Sequence, residues 1–206
     1  MKVVFGLKAH SGWAALVALG RSGNDFLVVD RFRLELVEET WAKQPYHAAE
    51  DLSPREARRL VKRGISAARR IAGRELRFAV KQQRQRGNEV VACAVLTGTS
   101  MPDWTIEQIL AVHFRMHQAE GVLFREALIT ATKAADLKLI TLAEKTLLHE
   151  AEKLLGVPSS EFAKTIALLG KAAGPPWGKD QKDAALAALM AFKIDSAWPA
   201  NGSSLN

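Results

Sequence analysis

Cysteine is almost missing from this chain. Its 206 residues include one, Cys93, which excludes an internal disulfide and a thiolate-held metal cluster. That cysteine lies in the apolar run 90–96 and reads as a small buried hydrophobe. Long apolar runs are missing too. None approaches the roughly 20 residues that a membrane-spanning helix needs, so no membrane partner is expected. Lys8, His10 and Ser11 interrupt the first twenty residues, which read as two strands rather than a signal peptide. Disorder is excluded by a hydrophobic content of 48% against 25% charged residues. A cytoplasmic location follows as the default. The length suits one domain, expected over residues 1–194, with a frayed tail at 195–206.

What the chain does have is basic charge, unevenly spread. The net charge is +7, yet residues 53–86 hold twelve Lys/Arg against two Asp/Glu, a net +10. The rest of the chain is therefore net −3, and all of the excess basicity sits in one segment.

Residues 2–7 and 13–19 are β-rich runs divided by Gly12. A third run comes at 26–36, where Phe32, Leu34 and Leu36 alternate with Arg31, Arg33 and Glu35, the period of a strand with one wet face. Tight connections between the three predict an antiparallel meander. Residues 38–51 read as a polar loop. Ser53-Pro54-Arg55-Glu56 then predicts a helix start with a capping box, and Gly87-Asn88 its end. The run 90–96 is a buried central strand. A single helical region is expected from about residue 104 to 135, then a short strand at 137–142. Thr141 to Glu144 reads as a second capping box, opening a helix to about residue 155. Ser159 is expected to cap a further helix to about residue 169. Gly174-Pro175-Pro176-Trp177-Gly178 forms a rigid corner, and residues 180–192 a final alanine-rich helix. Three antiparallel strands followed by crossover helices predict an α/β fold: a mixed five-stranded sheet with helices on both faces.

Four local features occur in that order. They are Gly6-Leu7-Lys8-Ala9-His10-Ser11-Gly12, His117-Gln118-Ala119-Glu120-Gly121, the strand at 137–142 with its helix, and Asp180-Gln181-Lys182-Asp183-Ala184-Ala185-Leu186-Ala187. Together they resemble, over most of the chain, the ribonuclease H-like superfamily and its RuvC-type Holliday junction resolvases. They look like that family's first-strand turn, second-helix Gln-Ala-x-Gly segment, last strand and last helix. The resemblance implies a ribonuclease H-like domain of a bacterial branch. It also implies a two-metal phosphodiester site held by four carboxylates. The chain departs from that pattern. Lys8 stands at the first-strand acid, residues 95–97 supply no acid at the fourth strand, and only Asp180 and Asp183 match the last-helix pair. Magnesium or manganese would bind only if this reduced acid cluster were competent; otherwise no cofactor is expected. Lys8 is expected either to neutralise Asp180 or Asp183 in the metal's place, or to lie exposed at a strand end.

The candidate site residues divide between chemistry and binding. His10, His47, His117 and Glu120 could meet Asp180 and Asp183 at the carboxyl end of the sheet, where open α/β folds bind ligands. A histidine beside a carboxylate is poised for proton transfer near neutral pH. The alternative is that these groups satisfy one another as buried polar residues. His113, His117 and Glu120 fall at spacings of four and three on one helix, a stripe able to hold a metal or simply three interfacial side chains. His10 and Ser11 are adjacent on a strand and point to opposite faces, so His10 is badly placed to activate Ser11 as a nucleophile. The corner at 174–179 lacks phosphate-loop spacing, and its two prolines remove amide donors. Arg55, Arg59, Lys62, Arg63, Arg70, Arg74, Arg77 and Lys81 are the expected contacts to nucleic-acid phosphates, against the reading of a merely solvated helix face. Three functions thus stand open: a nucleic-acid-binding domain with a degenerate metal site, a hydrolase or nuclease of altered chemistry, and a non-catalytic interaction protein that could pair with a second copy.

Overall fold

A computed structural model describes residues 1–23 and 25–196, with the side chains of Asp195 and Ser196 left out. Its sheet has the strand order β3-β2-β1-β4-β5. β1 (Lys2–His10), β2 (Trp13–Ser22) and β3 (Asp25–Glu35) form the expected antiparallel meander. β4 (Glu89–Thr97) then adds parallel to β1, and β5 (Lys138–Ala143) parallel to β4. The predicted five-stranded mixed sheet is what forms. The expected frayed tail, past Asp195 and Ser196 at the end of the last helix, lies outside the described residues.

Two helical layers cover the sheet, and strand alternation decides which residues meet which layer. Val3, Phe5, Leu7 and Ala9 of β1 join a core with α1 (Pro54–Gln85) and α3 (His113–Ala134). Val4 faces the other way, into a core with α4 (Leu147–Leu155), α5 (Ser159–Ala173) and α6 (Lys179–Ser196). Fully buried Phe124, Leu128 and Leu76 tie α1 and α3 to the first core. Each such side chain stabilises the fold by about 1.5–3 kcal/mol relative to exposure. No helix among the described residues is long and apolar enough to cross a membrane.

Four local expectations need correction. Residues 104–135 are not one helix: α2 (Ile106–Leu110) ends before α3 begins at His113. A capping box starts α2, with the Thr105 hydroxyl and the Gln108 side chain each accepting from the other's backbone N–H. The expected box at Ser53 does not form. The Ser53 hydroxyl donates to the Glu56 carboxylate at 2.5 Å, and proline at the first position sets the helix start. Thr141 does not cap a helix either. It lies inside β5, and Glu144 opens a 3-10 turn that precedes α4. α5 begins at Ser159 as expected, but Pro158 occupies its cap.

α6 approaches the sheet unusually closely. Ala184, Ala187, Ala188 and Ala191 are fully buried beneath it, and Gly6 of β1 faces them. A Cβ on Gly6 would lie 1.8 Å from the Ala184 carbonyl oxygen. Gly6→Ala is therefore expected to lower stability by at least ~2 kcal/mol, because backbone rather than a mobile side chain must move. A urea midpoint equal to the parent's would refute this. Cys93 is fully buried, and burial pushes its thiol up to about 12, against a small opposing hydrogen bond with Thr132. The native protein should leave a disulfide reagent unreacted at pH 8 and consume one equivalent per chain once unfolded.

Candidate functional site

The short distance between α6 and β1 also dictates the surroundings of the residue two places further along the strand. Lys8 projects from the same face as Gly6, and so meets the first turn of α6. Its side chain is 6% exposed. The ammonium lies 2.7 Å from Asp183 Oδ2, 3.0 Å from Glu144 Oε1 and 3.3 Å from Asp180 Oδ1. An ammonium has three N–H donors, and three carboxylates surround this one. Burial alone would lower its pKa. The hydrogen bonds and charges of Asp183 and Glu144 outweigh that and hold it above the ordinary lysine value.

Further cations complete the group. Lys179 reaches Asp183 Oδ2 at 2.5 Å. Arg125, whose guanidinium also donates to the Gly121 carbonyl, stands 3.5 Å from Glu144 Oε2. Gly98 makes room for it: a Cβ there would lie 2.7 Å from the arginine's Nη1. His10 comes after Lys8 on the same face of β1. Its ring stacks on Trp13 at 4.3 Å, and its Nε2 lies 3.1 Å from Asp180 Oδ1 without the alignment of a hydrogen bond. Lys8, Lys179 and Arg125 thus balance Glu144, Asp180 and Asp183. The expected pairing of Lys8 with the last-helix acids forms, and Glu144 joins it. The sequence carries no clear sign of Glu144, because Thr141 to Glu144 imitates a capping box.

The remaining candidates assemble elsewhere. Glu120 of α3 is buried at 4% exposure and accepts three hydrogen bonds. Two come from the backbone N–H groups of Tyr46 and His47, at 3.2 Å each to Oε1; the third is from His47 Nδ1, at 2.8 Å to Oε2. The loop before α1 is thereby fastened to α3. The His47 ring stands 4.6 Å from that of His117 and 5.0 Å from that of His113. The six residues expected in one cluster therefore fall into two: His10, Asp180 and Asp183 around Lys8, and His47 and His117 around Glu120, with His113 added. A cleft of about 550 Å³ touches both, lined by His117, Gln118, Arg125, Glu144, Lys145 and Lys179 among others.

The basic helix also divides. Arg63 pairs with Glu39, Arg70 with Glu38, and Arg74 with Glu38 and Glu75. Arg58 pairs with Glu107, and Arg86 with Asp30. The acids of the loop after β3 thus partly neutralise three of the expected binding residues. Arg55, Arg59, Lys62, Arg69, Arg77, Lys81 and Arg84 have no ion pair among the described residues, and all are exposed. Arg69 and Arg84 are additions to the expected set. At roughly 100° per residue these seven share one face of α1, turned away from the core.

Removing the central ammonium tests the Lys8 group. Lys8→Met leaves three partly buried carboxylates with only Lys179 and Arg125 to balance them and is expected to cost about 3 kcal/mol. A raised lysine pKa means that its contribution is complete below about pH 10 and fades only in stronger alkali. The gap between parent and variant in urea midpoint should therefore stay constant from about pH 7 to about pH 9. A variant as stable as the parent would mean that the group contributes nothing.

No family model matches the chain, and no curated protein matches it in sequence. Solved structures do match in fold. Thermus thermophilus RuvC in complex with Holliday junction substrate superposes with a TM-score of 0.53 at 14% identity, covering 96% of each chain. A second Thermus thermophilus RuvC structure gives 0.50 at 11% identity, covering 95% of this chain and 96% of that one. The chain has the ribonuclease H-like fold of the RuvC type, over nearly its whole length.

Proposed function

We propose that this protein binds nucleic acid through a RuvC-like domain whose two-metal nuclease site has been replaced by a buried lysine. The observation that carries the binding is the row of seven cations along α1 that have no ion pair among the described residues. From Arg55 to Arg84 it spans about 44 Å at 1.5 Å per residue, more than one turn of duplex DNA at about 34 Å. A solvated helix gains nothing from such a one-sided row, whereas phosphates along a duplex release counterions to it. The fold supports the same partner, since a solved structure that shares it holds a Holliday junction substrate. Arg63, Arg70 and Arg74 are a reserve: exposed ion pairs are worth only ~0–1 kcal/mol, so a phosphate can displace their carboxylates.

The residues around Lys8 do not suit a pair of magnesium or manganese ions. Such a site needs uncompensated carboxylate charge and open positions for water and phosphate. Here an ammonium sits within 3.3 Å of all three carboxylates, and Lys179 and Arg125 neutralise the charge that remains. Lys8 keeps the sheet, the turn after β5 and α6 in register where metals would otherwise do so. The network reads as a structural tie beneath a basic cleft, not as a hydrolytic centre.

Fluorescence anisotropy with four-way-junction, duplex and single-stranded DNA and RNA tests the reading. Log affinity should fall against log salt with a slope between about −3 and −6, from roughly 0.9 per neutralised phosphate. The combined variant Arg55→Glu, Arg59→Glu, Lys62→Glu should bind at least tenfold more weakly while keeping its unfolding midpoint. Neither magnesium nor manganese should bring about cleavage. Affinity that ignores salt would end the binding reading, and metal-dependent cleavage would end the reading of Lys8.

A further inference from the structure

The second histidine group has the features of a metal site. The chain has five histidines, and His47, His113 and His117 place one ring nitrogen each within 4.8 Å of the others. The Nε2 atoms of His113 and His117 lie 3.2 Å apart. Two imidazole ligands of one tetrahedral zinc ion are separated by about 3.3 Å, for metal–nitrogen bonds of about 2.05 Å. The spacing of four residues on α3 brings these two together, one turn apart.

His47 supplies the third ligand and the strongest reason for a metal. Glu120 is a buried carboxylate and only accepts, so the 2.8 Å contact fixes the imidazole proton on His47 Nδ1. The lone pair is then on Nε2. That atom is buried and has no hydrogen-bond partner among the described residues, which is costly for a polar atom. A carboxylate that holds one nitrogen of a histidine while the other faces a cation is the common outer shell of zinc sites. Glu120 is itself held by the backbone N–H groups of Tyr46 and His47, so the loop is locked in the orientation that ligation requires. A packing role would explain three histidines in contact. It would not explain why the buried nitrogen is left without a partner on the side away from Glu120.

We infer that His47, His113 and His117 bind one zinc ion, or a similar divalent transition cation, through their Nε2 atoms, with Glu120 as the positioning residue. Imidazole sets of this kind favour zinc, cobalt, nickel and copper over magnesium. His113 and His117 are exposed and can turn through the ångström or so that closes the triangle. Three protein ligands leave a fourth position open to water. His117 also lines the basic cleft that Arg125, Lys145 and Lys179 line. The site uses none of the α1 cations and none of the Lys8 group, and stands or falls apart from nucleic-acid binding.

The test uses the full chain stripped with a chelator. Calorimetric titration with zinc should give one site per chain, and cobalt should produce the intense visible bands of a tetrahedral nitrogen-ligated ion. His47→Ala, His113→Ala and His117→Ala should each weaken zinc binding at least 100-fold. His10→Ala and His149→Ala should leave it unchanged. Glu120→Gln should cost roughly 10- to 100-fold and shift the cobalt spectrum, which a purely structural loss would not do. His113→Ala and His117→Ala alter exposed side chains and keep the fold, so they secure the result if a Glu120 variant fails to fold. The inference is overturned if His47→Ala binds within threefold of the parent, because the α3 pair alone would then hold the ion. It is equally overturned if the stripped protein takes up no zinc.

Discussion

The approach of α6 to β1 is the constraint on which the Lys8 group depends. A glycine on the strand and alanines on the helix let two backbones come within contact distance, and the next residue on that strand face has no room to be anything but paired. A charge placed there cannot reach water. Its partners must come from whatever the helix and the neighbouring loop deliver. The helix delivers two acids one turn apart, and the turn after β5 delivers a third. Desolvation of the lysine is large, but the carboxylates offset it, so the interior stays neutral and the three elements stay joined.

The two clusters treat their carboxylates in opposite ways. Around Lys8, the acids face cations. Around Glu120, the acid meets no lysine or arginine among the described residues; it is satisfied by two amides and a histidine ring nitrogen. The first arrangement is closed, because each charge meets its opposite. The second passes its polarity outward through an imidazole to an atom that has no partner among the described residues. A chemist looking for reactivity in this molecule would therefore turn from the Lys8 position on β1 to the junction of the pre-α1 loop with α3.

Much of this was legible in the residues. Alternation in residues 26–36, the apolar run at 90–96 and the helical periods placed every strand and most helices. Lys8 stood out because an ammonium occupied a position where the resembled family carries an acid. Other features were hidden for physical reasons. Glu144 is contributed by a turn whose sequence imitates a helix cap, so its direction depends on the end of β5. The break between α2 and α3 has no proline or glycine to announce it, and it decides that His113 starts a helix. His47 lies 66 residues from His113, and only the Glu120 hydrogen bonds bring it across. The arginines of α1 looked uniform because their partners, Glu38 and Glu39, belong to a different segment.

The rims of the sheet carry their own protection. β3 is one rim, and Arg31 on it donates to the carbonyls of Ala173 and Pro175, each at 2.6 Å, at the end of α5. The same strand carries Asp30, Arg33 and Glu35 and is offset from β2 by an irregularity between Ala18 and Leu19. β5, the other rim, is six residues long. Charge, distortion and brevity at open edges all discourage a foreign strand from docking. Sideways growth of the sheet is thereby disfavoured, which leaves helices and loops as the surfaces better suited to association.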